Sequence, residues 1–190
     1  MSISAAFTAL QQVLSSSAET LPPLLDQSAQ MLVKSLQAGG KVMVCGNGGS
    51  AADAQHFAAE LVGRFEVDRP AIPAVALTVD SSALTAIAND TGFDQVFSRQ
   101  VEALARPGDV LIGISTSGCS KNVLAAVGAA RERGCAIIGL TGAGGGLMVD
   151  VCDVLIAVPS TSVARTQEVH ILCLHALAGQ VEALIGEVNR

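Results

Sequence analysis

The sequence predicts an α/β fold, a three-layer sandwich with a five-stranded parallel sheet flanked by helices and preceded by an N-terminal helical arm. Three observations predict it. Five short β-prone runs recur with helical stretches between them, the alternation that builds parallel sheets. Those runs are apolar throughout rather than alternating with polar residues, as strands covered on both faces require. Half of the 190 residues are hydrophobic and only 15% are charged, which excludes a disordered chain and favours a large buried sheet and subunit contacts. With no composition shift, internal repeat or long linker, 1–190 reads as one domain, with 1–38 as the arm and 39–190 as the α/β core and its closing helix.

Taken in order, helical spacing runs from about Ala5 to Leu36 and is interrupted by Pro22-Pro23, whose fixed φ suits the first turn of a second helix. After Gly39-Gly40 comes the first strand, over 41–45, then a glycine turn and a helix over 50–62. Further strands are expected over 74–79, 110–114, 136–140 and 154–158. A helix over 121–133 follows the third strand, and a long helix over 163–188 closes the chain.

Composition narrows the function. A net charge of -6 with no Trp or Tyr disfavours nucleic acid, anionic membranes and base-stacking recognition. The five cysteines, Cys45, Cys119, Cys135, Cys152 and Cys173, are widely spaced with no Cys-x-x-Cys pair and read as small buried apolar residues in a reducing compartment. The N-terminus lacks the basic segment and apolar core of a secretory signal, and no apolar run is expected to reach membrane-spanning length, so a cytoplasmic location is expected.

In open parallel sheets, ligands bind beyond the carboxyl ends of the strands, and the notable loops all fall there. Gly46-Asn47-Gly48-Gly49-Ser50 permits positive φ and close backbone approach, and Ser50 is placed to cap the next helix. Ser115-Thr116-Ser117-Gly118-Cys119-Ser120 precedes a helix. Ordinary N-capping explains one of its four hydroxyls but not all of them, and together with the helix N-terminus they form a phosphate cradle. Thr141-Gly142-Ala143-Gly144-Gly145-Gly146 lacks a convincing helix behind it and reads as flexible turn material. Asp68 stands outside a clear strand end, which argues against dinucleotide binding.

The acid/base residues lie on two helices. His56 and Glu60 are four apart and share a face, with Asp53 nearly on the same side. Gln167 and His175 are eight apart on an otherwise apolar stripe with Ile171 between them. Polar groups on a buried stripe need partners, and His56 and Glu60 are the natural candidates. His170 lies around the helix and reads as structural or surface.

Cys-Gly-Asn-Gly-Gly-Ser at 45–50, His-Phe-Ala-Ala-Glu-Leu-Val-Gly-Arg-Phe at 56–65, Ala-Asn-Asp-Thr-Gly-Phe at 88–93, Gly-Ile-Ser-Thr-Ser-Gly at 113–118 and Gln-Glu-Val-His at 167–170 are together far more specific than any one motif. On these residues the chain resembles the bacterial phosphoheptose isomerases of the sugar isomerase (SIS) domain family, a flavodoxin-like fold. The resemblance implies conversion of sedoheptulose 7-phosphate to D-glycero-D-manno-heptose 7-phosphate, the entry to activated heptose for bacterial surface glycans such as lipopolysaccharide. It implies a zinc ion in each subunit, weakly held because one ligand is an amide, at His56, Glu60, Gln167 and His175. It implies substrate contacts at Asn47, Gly48, Gly49, Glu60, Asn89, Asp90, Ser115, Thr116, Ser117, Ser120 and Gln167. It also implies a homotetramer with sites between subunits. Cys119 stands where the family commonly has asparagine, and Phe65 where it often has tyrosine.

The chemistry fits these residues independently. A ketose and its aldose interconvert by moving a proton between adjacent carbons through an enediol; Glu60 is assigned that proton, and His175 the oxygens and ring opening. The strongest rival is a non-catalytic tetrameric adaptor of the replication initiator protein, which shares residues 54–59 and 84–90 but lacks the acid matching Glu60 and the histidine matching His175. A sugar-phosphate sensor domain of a regulator is disfavoured, since no DNA-binding extension precedes Met1 or follows Arg190.

Overall fold

The computed structural model describes residues 2–188. Helices α1 (Ile3–Thr20) and α2 (Pro22–Gln37) form the arm. Ser2 caps α1 by accepting from the Ala5 N–H, and proline occupies the first turn of α2, where a missing N–H costs nothing. The core then runs β1 (Val42–Gly46), α3 (Gly49–Val62), β2 (Ala74–Ala76), α4 (Ser81–Thr91), α5 (Ser98–Leu104), β3 (Val110–Ile114), α6 (Lys121–Glu132), β4 (Ala136–Thr141), β5 (Val154–Ala157) and α7 (Val163–Val188).

All strand pairs are parallel, in the order β2-β1-β3-β4-β5. Alternate residues of each strand enter different cores. Val42, Val44, Ile112, Ile114, Ile138 and Leu140 pack with α2, α3 and α7 on one face, while Met43, Cys45, Leu111 and Ile137 pack with α5 and α6 on the other. Burial on both faces is why the strands are apolar at successive positions. The strand order reverses between β1 and β3, and Gly46 is in register with Ile114. The glycine turn and the serine loop therefore leave the sheet side by side at the topological switch point, where such sheets bind ligands.

Several expectations are corrected. The second strand ends at Ala76 rather than 79: Leu77 still donates to Val44, but Val79 is exposed and Asp80 caps α4 through the Ala83 N–H. Helices α4 and α5 are additions to the sequence reading. No residue of α4 is fully buried; its apolar stripe, Leu84, Ile87 and Ala88, is short and only half-buried against the second core, a weaker signal than that of a core helix. Ser50 is buried inside the first turn of α3, whose N-cap is Gly48 without a side-chain bond, so Ser50 does not cap it. Cys119 is exposed and Cys152 half-buried; only Cys45, Cys135 and Cys173 are buried.

Contrary to expectation, α7 over Val163–Gly186 is long and apolar enough to cross a membrane by length and composition, with a mean hydropathy of 1.5. Its surroundings explain the apolarity: it packs on α1, α2 and α3, with Val169, Cys173, Leu174, Leu177 and Val181 buried against protein.

His170 is structural rather than a surface residue. It is fully buried, its Nε2 lies 3.0 Å from the Thr141 carbonyl, and its Nδ1 has no hydrogen-bond partner among the described residues. Burial pushes its pKa down to about 4 from 6.5, against the raising effect of the Thr141 bond. The unfolded chain therefore takes up a proton in that window that the folded protein refuses. Stability is full above pH 6.5 and falls by about 3 kcal/mol as pH drops to 4. In urea titrations across this range, His170→Asn is expected to flatten that part of the pH profile whatever its effect at neutral pH.

Candidate active site

Helix α3 starts from the glycine turn, and its apolar face, Ala54, Phe57, Ala58 and Leu61, is buried in the core. That burial turns His56 and Glu60 toward α7, the neighbour α3 packs against. His175 is on the opposing stripe of α7, between the buried Leu174 and Leu177.

The three side chains meet. His56 Nε2 lies 2.9 Å from His175 Nε2 and 3.1 Å from Glu60 Oε1. One ligand-type atom from each falls within 4.8 Å of the others. A tetrahedral zinc ion with bonds of ~2.0–2.1 Å spaces its ligands about 3.3 Å apart, so two imidazoles and a carboxylate at these separations fit such an ion. The His56 side chain is 48% exposed and that of Glu60 19%, leaving the cluster open to a ligand.

Gln167 sits two turns before His175, and its side-chain amide lies against the glycine turn. A Cβ on Gly49 would lie 2.6 Å from Gln167 Nε2, so residue 49 must be glycine if that amide is to stay. Gly48, at φ +57 and ψ -121, supplies a backbone conformation that other residues rarely adopt. Asp53 does not join the trio. Burial raises its carboxyl pKa against the opposing influence of His56, and its Oδ2 finds no partner among the described residues.

The serine loop is internally wired. Ser115 Oγ lies 2.9 Å from Ser120 Oγ and 3.4 Å from Ser117 Oγ, and Ser117 Oγ accepts from the Cys119 N–H. Thr116 gives its carbonyl to the Gly142 N–H. The 142–146 segment is thus packed support rather than loose turn: Gly118 lies directly against the backbone of Gly145 and Gly146. Ser117 is exposed and Ser120 half-buried, at the N-terminus of α6, an arrangement suited to an anion.

Asn47 and Asn122 exchange two side-chain hydrogen bonds of 2.8 Å, joining the glycine turn to α6 across the switch point. Asn122 was missed by sequence reasoning; its only signal is its place in the first turn of the helix behind the serine loop. Asn89 and Asp90 are exposed on α4 and bond to each other at 2.8 Å. Among the described residues their side chains hydrogen-bond only to each other.

A family model described as SIS domain matches residues 7–142. The chain belongs to the SIS domain family. Among its SIS relatives, the phosphoheptose isomerase of Rhodospirillum rubrum is 59% identical over 160 residues, covering 84% of this chain and 85% of that one. The phosphoheptose isomerase of Thiobacillus denitrificans is 55% identical over 182 residues, covering 94% and 92%. The solved structure of phosphoheptose isomerase from Neisseria gonorrhoeae superposes with a TM-score of 0.91 at 48% identity, covering 95% of this chain and 97% of that one. The SIS fold and the sheet order described above are therefore shared over nearly the full length.

The Gly49–Gln167 contact is testable by a double-mutant cycle. Gly49→Ala meets only the end of a flexible side chain, so it is expected to cost under about 1 kcal/mol of stability while displacing the Gln167 amide. Catalytic losses from Gly49→Ala and Gln167→Ala should then be strongly non-additive, which steady-state kinetics of the two single variants and the double variant will show.

Proposed function

We infer that the protein is a phosphoheptose isomerase, an aldose-ketose isomerase interconverting sedoheptulose 7-phosphate and D-glycero-D-manno-heptose 7-phosphate. The observation that carries this reading is the convergence of Glu60 and His175, more than a hundred residues apart in sequence, with Glu60 on the helix that begins at the glycine turn next to a serine loop suited to phosphate. The high identity to enzymes of that name over most of the chain supports it. The replication-adaptor alternative has no such support, because both side chains that distinguish the enzyme are present and meet.

In this reading the serine loop and the N-terminus of α6 bind the phosphate, which fixes the sugar so that its first two carbons lie at the trio. The Glu60 carboxylate removes a proton from the first carbon of the ketose, giving an enediol, and returns it to the second carbon of the aldose. Meanwhile a proton passes from one oxygen to the other, and His175 is the group placed to carry it. One carboxylate suffices for both carbons because they are adjacent.

His56, Glu60 and His175, with Gln167 as an amide ligand, would hold zinc. When bound, zinc would polarise the carbonyl and stabilise negative charge on the enediol oxygens. A tetramer with shared sites belongs to the same reading, supported by Ile3, Phe7 and Leu172, which are 83%, 70% and 50% exposed as large apolar side chains. A cytoplasmic setting is supported by five free cysteines. Supply of heptose for surface glycans belongs to the same reading.

Incubation with sedoheptulose 7-phosphate in deuterated water should yield the aldose, with solvent label at its second carbon to the extent that the Glu60 proton exchanges. Absence of aldose would overturn the reading. Glu60→Gln should lower kcat by at least about a thousandfold with substrate binding, measured calorimetrically, nearly unchanged. Chelator treatment should reduce activity and zinc restore it; full activity in metal-free protein would remove zinc from the proposal.

A further inference from the structure

Phe65 covers His175. The two rings stack with centroids 5.5 Å apart and planes at 24°. The ring also lies over Gly179, one turn beyond His175 on α7, where a Cβ would be in ordinary van der Waals contact with Phe65 Cε1 at 3.5 Å. Yet Phe65 belongs to the stretch after α3 that has no regular secondary structure of its own. Something else must hold it.

That group is Glu182. Its side chain is only 2% exposed, and its carboxylate accepts from the backbone N–H groups of Phe65 at 2.7 Å, Glu66 at 3.0 Å and Val67 at 3.1 Å. It also accepts from Arg69 Nε at 2.9 Å. Burial alone would raise its pKa, but the three backbone donors and the Arg69 guanidinium more than reverse this and hold it below the usual carboxylate value. Arg69 also reaches the end of α3: Nη2 donates to the Glu60 carbonyl at 2.7 Å, and Nη1 to the Leu61 carbonyl at 2.8 Å and to that of Pro70 at 3.1 Å. The carbonyls of Glu60 and Leu61 are ones that a helix terminus leaves without intrahelical partners.

One buried ion pair therefore joins three things: the last turn of α3, which carries Glu60; the segment that carries Phe65; and α7, which carries His175. Glu182 follows His175 by seven residues and lies on the same face of α7, two turns along. A buried ion pair is weak evidence for stability, since apolar replacement often serves as well. Three converging backbone donors are different, because they dictate one conformation of a segment and therefore one position for the ring it bears.

We propose that Glu182 and Arg69 are positioning residues of the active site, which fix Phe65 over His175 and lock the end of α3 to α7 so that the His175 imidazole is held at the His56–Glu60 pair. The inference rests on the isomerase reading only where turnover is measured; its structural content is independent of the substrate. The side chains of Arg69 and Glu182 are only 9% and 2% exposed, and their hydrogen-bond partners are protein groups. Their effect reaches the chemistry through the placement of one imidazole, where an error of about 1 Å costs on the order of a hundredfold in rate.

The chain contains only three histidines, so NMR of full-length protein labelled with carbon-13 at histidine Cε1 gives a spectrum assignable from single His→Gln variants. Phe65→Leu leaves the backbone donors to Glu182 in place and removes the stacked ring. It is expected to move the His175 signal, leave that of His170 in place, and lower kcat by about threefold to tenfold. Glu182→Gln and Arg69→Lys are expected to move the His175 signal as well and to lower kcat by about tenfold to a hundredfold, with KM changed less than about threefold.

Parental kcat and an unmoved His175 signal in Glu182→Gln would overturn the proposal. So would a fall in kcat and melting temperature with the His175 signal unmoved, because that pattern assigns a merely structural role. Should Glu182→Gln fail to fold, Phe65→Leu decides: an unmoved His175 signal with parental kcat overturns the proposal. If the parent protein shows no turnover, the isomerase reading fails, and the His175 shifts alone decide this inference.

Discussion

The packing of α3 against α7 is the contact on which the rest of the active site depends. Residues 56 and 175 come together because Phe57 and Leu61 on one helix and Val169, Cys173, Leu174 and Leu177 on the other are buried in the same core. Full burial of each large apolar side chain contributes roughly 1.5–3 kcal/mol. That is more than a partly exposed polar contact between His56 and His175 offers. The apolar residues therefore set the register of the two helices, and the polar trio is carried into place by a core that would form without it.

The sheet places the rest. Its strand order reverses at β1 and β3, so the turn after one and the loop after the other open into the same crevice. Asn47 and Asn122 tie the two across that gap with paired amide bonds. Gly142 and Gly146 brace the serine loop from behind, because a Cβ on either would run into the carbonyl of Thr116 or Ser117. The hydroxyls that face the crevice are thus held by hydrogen bonds to one another and by backbone packing, with no arginine needed to order them.

Buried polar groups in this chain do different jobs according to how well they are satisfied. Glu182 has four donors and is held as the anion; His170 has one partner and is held neutral. At the far end of the sheet Asp109 accepts from the N–H groups of Lys41 and Arg106 and from the Lys41 ammonium, joining the starts of β1 and β3 away from the crevice. The well-satisfied groups each link segments distant in sequence, which is what a single buried carboxylate with several acceptor sites can do and an apolar side chain cannot.

Periodicity and turn chemistry alone determined the parallel sheet, the helical arm, the glycine turn and the serine loop, because these features are local: an apolar run, a proline pair or four hydroxyls near one glycine carry their meaning within a few residues. The facing of His56 and Glu60 was legible for the same reason, a helical spacing of four. What lay across the chain was not. The short β2, the weakly buried α4, the support given by 142–146, the Asn122 partner and the Glu182 clamp on Phe65 all depend on which distant backbone or side chain stands opposite, and no spacing in the sequence encodes that. The meeting of His175 with His56 and Glu60 was expected from polar groups on a buried stripe needing partners; only the tertiary structure decided that α7 is apolar because it is packed in protein and that Gln167 meets the glycine turn, since both follow from how helices cross rather than from the residues on any one of them.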